Sequence, residues 1–226
     1  DLPPLARKTY YTKSSLDKLK VYGRSYSTSD GITCDHSASG IEFSGVIEGD
    51  VTVKIISERQ NKESAKNDDA YFTVYIDGVR QAERLKVGIG ATKNLKVATG
   101  LKQGKHTIKL LKQSEAKNGS CIISNVVVYG TLDAAPANSS AYIEFIGDSI
   151  TAGYGVLCSN GTSSSGDTDY KDATKSYAYL TAELLGADHS VVACSGAGIT
   201  EGYRPVFGDG LFSLQNYYRS TTNAYE

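Results

Sequence analysis

The sequence of 226 residues contains no methionine, no tryptophan and no long apolar run. Since no stretch approaches the roughly 20 apolar residues of a transmembrane helix, we expect no membrane span. The 24 basic and 25 acidic side chains nearly cancel, and no Lys- or Arg-rich run forms a footprint for nucleic acid or anionic lipid. The composition therefore predicts a protein without nucleic-acid or membrane partners, and it leaves the oligomeric state open.

The chain begins at Asp1, without an apolar leader. We therefore expect a processed or shortened product of a longer reading frame. Three glycosylation sequons begin at Asn118, Asn138 and Asn160, each in a polar, turn-rich stretch where a glycan would reach water. Together these features predict a secreted, extracellular glycoprotein.

Four cysteines are spaced too widely for a Cys-x-x-Cys metal pair. One prediction is two disulfides, Cys34 with Cys121 and Cys158 with Cys194, because each pair would stay within one predicted domain. The alternative is that all four are free, buried thiols. Neither alternative implies a metal site.

The first part of the chain, from Leu19 to Leu132, has the pattern of a β domain. Residues 51–56 and 71–76 are rich in β-branched and aromatic side chains, and residues 106–110 alternate polar and apolar. No helical period interrupts these runs. Many short strands with regular turns predict a β-sandwich of the jelly-roll type over residues 1–135.

Turn signals separate the predicted strands of this domain. Asp77-Gly78 is a hairpin signal. Gly100, Gly104 and Asn118-Gly119 predict further turns at short spacing.

The pattern changes after the small, polar residues 133–141, which suit a linker. Residues 142–146 predict a short buried strand, residues 176–185 a helix and residues 190–194 a second strand. This order indicates a parallel α/β unit over residues 141–226. Two strands cannot be covered on both faces by so few helices, and we expect this α/β domain to be incomplete.

Ser149 follows the first of these strands in a Gly-Asp-Ser turn, which we expect to open a helix. Active sites of parallel sheets lie at the carboxyl ends of the strands. There a serine can supply a nucleophile, and its own N–H can stabilise an oxyanion. A second turn, Ser195 to Thr200, follows the next strand, so the N–H of Gly198 can point at the same place. The alternative is that Ser149 merely caps a helix, since Ser and Asp are favoured there.

Two longer segments make the nucleophile interpretation more specific. Residues 143–155 (IEFIGDSITAGYG) resemble the first sequence block of the SGNH (GDSL-like) hydrolases, and residues 191–200 (VVACSGAGIT) resemble their second block. The resemblance assigns the nucleophile to Ser149 and the second oxyanion N–H to Gly198. Gly196 takes that role if the register shifts by two residues.

The first half resembles the N-terminal jelly roll of family 2 carbohydrate esterases, at residues 74–78 (VYIDG), 100–101 (GL), 104–110 (GKHTIKL) and 112–115 (KQSE). Those enzymes join a β-sandwich to an SGNH domain and remove acetyl groups from plant polysaccharides such as xylan and glucomannan. The resemblance implies a jelly roll followed by an α/β SGNH-hydrolase domain with a parallel sheet. It also implies a serine esterase, of the acetylxylan esterase kind, that acts on acetylated polysaccharide or oligosaccharide without a metal or organic cofactor.

A serine esterase needs a general base, nearly always a histidine. The three histidines are His36, His106 and His189, and we expect each of them to be structural. In the family the base lies in a C-terminal Asp-x-x-His block, and a Gly-x-Asn-Asp block supplies an oxyanion Asn. Neither block occurs in this sequence, and we expect both to lie beyond Glu226.

Sixteen tyrosines could offer faces for sugar stacking, and Tyr154 and Tyr203 lie nearest the predicted site in sequence. The main rival function is a carbohydrate-binding protein or an inactive esterase fragment. A phosphate-binding loop is a weaker hypothesis, because no Gly-x-x-x-x-Gly-Lys-Ser/Thr motif is present.

Overall fold

The computed structural model describes residues 2–58, 69–158 and 168–202, together with Ser213, Leu214 and Tyr218. Within this part, no helix has the length and apolarity to span a bilayer. The strands and the single α-helix of the described residues are β1 (Arg7–Tyr11), β2 (Lys20–Tyr22), β3 (Ile32–Thr33), β4 (Gly40–Glu58), β5 (Ala70–Ile76), β6 (Val79–Arg80), β7 (Leu85–Val87), β8 (Thr92–Lys112), β9 (Ser120–Leu132), β10 (Tyr142–Gly147), α1 (Tyr177–Leu184) and β11 (Asp188–Ala193).

The first nine strands form one antiparallel sheet, in agreement with the predicted β domain. Its order is β1-β9-β4-β8-β5-β6, with β2 beside β4, β3 beside β9 and β7 beside β5. Asp77 and Gly78 form the predicted hairpin, since Ile76 pairs with Val79. The long strands β4 and β8 pair from Gly40–Leu111 to Ile56–Thr92, with register shifts near Gly49. Such shifts bend a strand, and the sheet curves around one core.

These long strands differ from the many short ones that the sequence predicts. β4 has 19 residues and β8 has 21. Gly100 and Gly104, which we expected to form turns, both lie inside β8. Gly100 is next to the register shift, and its N–H donates to Asp50 Oδ1 at 3.0 Å. Because β8 pairs with β4 along this stretch, Gly100 and Gly104 remain in the strand despite their local turn signals.

The core of the sheet is apolar and closed. On β4, Val51, Val53 and Ile55 are completely buried, and they alternate with partly exposed neighbours. Phe43, earlier on β4, is also completely buried. These side chains pack with buried residues of the neighbouring strands in one cluster. The jelly-roll region therefore buries its own hydrophobic surface.

The predicted strand–helix–strand unit is also present. β10 and β11 are parallel, with Tyr142 opposite Asp188 and Gly147 opposite Ala193. Helix α1 lies between them in sequence, and its boundaries differ by one residue at each end from the predicted 176–185.

The buried segment of residues 34–39 joins the two regions. Ser37 bridges Val191 of β11 in antiparallel fashion, and the Ala38 N–H donates to Lys112 O of β8 at 2.9 Å. The segment therefore lies between the jelly roll and β11.

The structure bears on the predicted disulfides and on the predicted glycosylation sites. All four cysteines are free thiols, as the second alternative predicts, although Cys158 is only partly buried. Neither predicted disulfide is formed, and the Cys34 N–H donates to Cys121 O at 2.7 Å. Asn118 is 3% exposed, and its side-chain oxygen accepts from Lys171 at 2.7 Å. A glycan has no room there, whereas Asn138 is exposed and Asn160 lies outside the described residues.

Candidate functional site

The two predicted site turns leave the sheet at the same edge. Gly147 and Ala193 are the last paired residues of β10 and β11. The N–H of Cys194 donates to Gly147 O at 3.1 Å, which joins the turns where they begin. Ser149 lies two residues beyond this point, and Gly198 lies in the turn after β11.

The turn that carries Ser149 is not the start of a helix, contrary to our expectation. Residues 148–157 form successive turns, in which the Ile150 N–H donates to Asp148 Oδ1 at 3.0 Å and the Tyr154 N–H to Ser149 O at 2.9 Å. Gly153 has φ +73°, outside the right-handed helical region, and this interrupts any helix. No helix begins at Ser149, so the interpretation of Ser149 as a helix cap is wrong.

Ser149 is half-buried. Neither its Oγ nor its N–H has a hydrogen-bond partner among residues 2–58, 69–158 and 168–202. Within that part of the chain, neither group is therefore used to hold the turn together.

Gly147 is required here by close approach. A Cβ on Gly147 would lie 2.0 Å from Thr151 Oγ1. That hydroxyl is 3.0 Å from Tyr177 OH, at the start of α1. The absence of a side chain lets the Ser149 turn fold back over the end of β10.

The second turn is held by one hydrogen bond within its own backbone and by one from Leu214. The Ala197 N–H donates to Cys194 O at 3.0 Å, and Gly198 O accepts from the Leu214 N–H at 2.8 Å. Gly198 also forms an isolated parallel bridge with Ser213. Gly196, the alternative oxyanion donor, lies inside the turn with φ +88°.

The two tyrosines considered for sugar contact differ in what the structure shows. Tyr154 is half-buried, and Lys171 Nζ lies 5.1 Å from the centroid of its ring. Its role toward sugar stays a prediction. Tyr203 lies outside the described residues.

A family model described as "Carbohydrate esterase 2 N-terminal" matches residues 21–137, just over half of the chain. The chain belongs to carbohydrate esterase family 2.

Individual proteins that are similar to this chain support its membership of the family. Cellulase/esterase CelE of Acetivibrio thermocellus is 33% identical over 183 residues, which are 79% of this chain and 20% of that protein. A family two carbohydrate esterase from Clostridium thermocellum, solved in complex with cellohexaose, is 29% identical with a TM-score of 0.77. That match covers 90% of this chain and 58% of the other.

An acetyl xylan esterase from the rumen bacterium Butyrivibrio proteoclasticus has a TM-score of 0.83 over 98% of this chain and 57% of that chain. At 20% identity it shows a shared fold alone. The chain thus spans less than two thirds of the length of each of these relatives.

A family 2 esterase requires a base, and the structure places all three histidines away from Ser149. His106 on β8 contacts Asp77 Oδ2 and Lys102 O, each at 2.8 Å, through its two ring nitrogens. Asp77 and Lys102 also belong to the jelly roll. Both ring nitrogens of His106 are therefore used within that region.

Of the other two histidines, His189 belongs to β11, and His36 lies in the segment that bridges β11. His189 is opposite Ile143, four residues before Gly147, which is about 13 Å along the strand. His36 is completely buried next to Ser37 on the far side of β11 from β10, about 10 Å across the sheet. The expectation of three structural histidines agrees with these positions.

Jelly-roll arginines hold the segment that supports the Ser149 turn. Asp172 N–H donates to Gly153 O at 3.2 Å, and the Asp172 carboxylate accepts from Arg80 at 2.6 Å. Arg84 donates to three backbone carbonyls between Thr168 and Lys171, at 2.8 to 3.2 Å. The Ser149 turn is therefore supported by residues of both regions of the molecule.

Sequence reasoning missed two charged residues beneath the turns, Glu115 and Lys171. Both are completely buried, and their ion pair is 2.7 Å long. Glu115 ends the KQSE segment that resembles the family, which was the available signal, although the segment indicates no role. Within the described residues no three His, Cys, Asp or Glu side chains are grouped to hold a metal ion.

Proposed function

We propose that the protein is a serine esterase that removes O-acetyl groups from plant polysaccharide, with acetylated xylan or glucomannan as the substrate class. The observation that carries this proposal is the position of Ser149 at the carboxyl end of β10, where its Oγ and N–H have no hydrogen-bond partner among the residues that the structure describes. Membership of a carbohydrate esterase family supports the reaction class.

In the proposed reaction, Ser149 Oγ attacks the acetyl carbonyl and a base takes the hydroxyl proton. The N–H groups of Ser149 and Gly198 donate to the oxyanion that forms. The protonated base then gives its proton to the sugar oxygen as the acetyl C–O bond breaks. Water attacks the acyl-enzyme, and acetate and free Ser149 are released.

The base is proposed to be a histidine that follows Glu226 in the complete protein, accompanied by an oxyanion Asn. The positions of His36, His106 and His189 support this, since none of them lies at the strand edge that carries Ser149. No metal or cofactor takes part in the proposed reaction. We further propose that the protein is secreted, with Asn138 as an accessible glycan site.

A second candidate function is carbohydrate binding without hydrolysis, or an inactive esterase fragment. The lack of a histidine beside Ser149 in the described residues favours it. The Clostridium thermocellum relative was solved with cellohexaose, which makes a β-linked glucan a reasonable probe.

The two functions separate in an assay of acetate release from acetylated xylan and acetylated glucomannan by the full-length protein. Hydrolysis predicts release that is abolished in Ser149→Ala and unchanged in Ser29→Ala, an exposed jelly-roll serine. Binding without hydrolysis predicts affinity for the polysaccharide and no acetate from either variant or the parent. Equal release by Ser149→Ala and the parent would refute the assignment of Ser149.

A further inference from the structure

Glu115 of the jelly roll binds the first residue of the second site turn. It lies just after β8 and is completely buried. Its Oε2 accepts from the Ser195 N–H at 2.5 Å, and its Oε1 accepts from Ser195 Oγ at 2.6 Å. Lys117 Nζ donates to Ser195 O at 2.9 Å. Every polar group of Ser195 is thus bound by two residues of one jelly-roll loop.

Ser195 begins the short turn that reaches Gly198. Only Gly196 and Ala197 separate the two residues, and the Ala197 N–H is bound to Cys194 O. A displacement of Ser195 is therefore passed on to the Gly198 N–H with little chain in between to absorb it.

Lys171 connects this arrangement to the nucleophile turn. Its Nζ donates to Glu115 Oε1 and to Asn118 Oδ1, each at 2.7 Å. It also lies 5.1 Å from the centroid of the Tyr154 ring, and the Tyr154 N–H holds Ser149 O. Glu115 and Lys171 together therefore contact both turns from beneath.

The charges of this buried pair balance. Burial by itself would raise the pKa of Glu115, but Lys171, Lys117 and the Ser195 hydrogen bonds outweigh it and lower the pKa to about 2. The carboxylate is therefore ionised at neutral pH and accepts strong, charge-assisted hydrogen bonds. Replacing such a pair by apolar residues is often neutral for stability, so a stabilising role alone is a weak explanation for its place beneath the turns.

We infer that Glu115 is a positioning residue, which fixes the Ser195–Gly198 turn so that the Gly198 N–H meets the oxyanion at Ser149, with Lys171 as its counter-charge. This inference rests on the proposed function. It gives the jelly roll a part in the catalytic geometry as well as any part in recognising substrate. A shift of about 1 Å in a catalytic group can cost roughly 100-fold in rate.

The test compares Glu115→Gln with Asp35→Asn in the full-length protein. Asp35 is the control, because it is also a completely buried carboxylate, in the segment that packs beside the jelly roll. Its carboxylate binds Ser120 and the Cys121 N–H, both within the jelly roll. For each variant, kcat and KM for an acetyl ester are measured, together with hydrogen exchange at the Ser195 amide.

Glu115→Gln is expected to lower kcat by about 10- to 100-fold, with KM changed by less than about threefold, and to speed exchange at Ser195. Asp35→Asn is expected to leave both kcat and that exchange rate near the parent's. Unchanged exchange at Ser195 in Glu115→Gln, or a loss of kcat no larger than that of Asp35→Asn, would overturn the inference.

Failure of the proposed function has a different signature. In that case the parent protein itself releases no acetate, and the exchange measurement alone decides whether Glu115 holds the turn. Lys171→Met provides a second variant. It removes the counter-charge from the other region and is expected to speed exchange at the same amide.

Discussion

The jelly roll and the α/β segment differ in how far their large hydrophobic side chains are buried. In the jelly roll Phe43, Val53 and Ile55 of β4 are completely buried, whereas Leu184 of α1 is 87% exposed and Ile150 is 72% exposed. Parallel sheets are normally covered on both faces, but β10 and β11 have one described helix beside them. Hydrogen bonds from the jelly roll, at Arg80, Arg84 and Glu115, therefore help to hold the described α/β segment in place.

The largest difference between the regions is expected from core truncation. Phe43→Ala in β4 should lower the free energy of unfolding by about 3–5 kcal/mol, because it opens a cavity in a closed core. Leu184→Ala in α1 should change it by less than about 0.5 kcal/mol, since that side chain is solvated. Chemical denaturation of both variants measures the two values. Comparable losses would show that Leu184 is covered in solution and that the contrast is wrong.

A smaller loss of stability is expected at Gly153, which packs against Asp172, the residue that Arg80 of the jelly roll binds. A Cβ there would lie 2.4 Å from Asp172 O, and its φ is +73°. Gly153→Ala should therefore cost on the order of 3 kcal/mol through strain and displacement.

Gly155→Ala is the matched control for that variant. Gly155 has the same φ of +73°, but the nearest atom to its Cβ is Cys158 Sγ at 4.0 Å. We expect a cost of about 1–2 kcal/mol from the left-handed backbone alone. Equal thermal shifts for the two variants would mean that Asp172 does not pack tightly against Gly153 in the Ser149 turn.

Much of the local structure was predictable from sequence, because β10, α1 and β11 each follow from a short apolar pattern. The length of β8 was not, because its pairing with β4 overrides the turn signals at Gly100 and Gly104. Ser149 and Gly198 were accessible through their motifs. The contact of Glu115 with Ser195 joins residues 80 positions apart and depends on packing, which no local pattern reports.

Lowering the pH should destabilise the protein at His189, where β11 contacts the segment that contains Ala38. Burial lowers the pKa of this imidazole, although its Nε2 lies 2.9 Å from Ala38 O. The unfolded chain, with an ordinary histidine pKa near 6.5, takes up a proton more readily. Stability is therefore full above about pH 6.5 and falls below it, by at most about 1.4 kcal/mol per pH unit. Denaturation of the parent and His189→Gln from pH 8 to pH 5 should show a shallower fall in the variant.

His106, on the jelly-roll surface, should show the opposite and smallest pH effect. The Asp77 carboxylate and the Lys102 carbonyl raise the pKa of His106. Its stabilisation is therefore present below about pH 6.5 and is lost as the pH rises through the raised value. Because Asp77 is 48% exposed, we expect less than about 1 kcal/mol. An NMR titration of the ring should give a pKa above that of a histidine peptide, and a lower pKa would contradict this account.

The central proposal is that Ser149 is a nucleophile whose turn is held in place by both regions. Its most direct test is treatment of the folded, full-length protein with a fluorophosphonate, followed by peptide mass mapping. We predict one adduct, on the peptide that contains Ser149, and none in Ser149→Ala. An unlabelled folded protein, or an adduct that persists in Ser149→Ala, would contradict the claim.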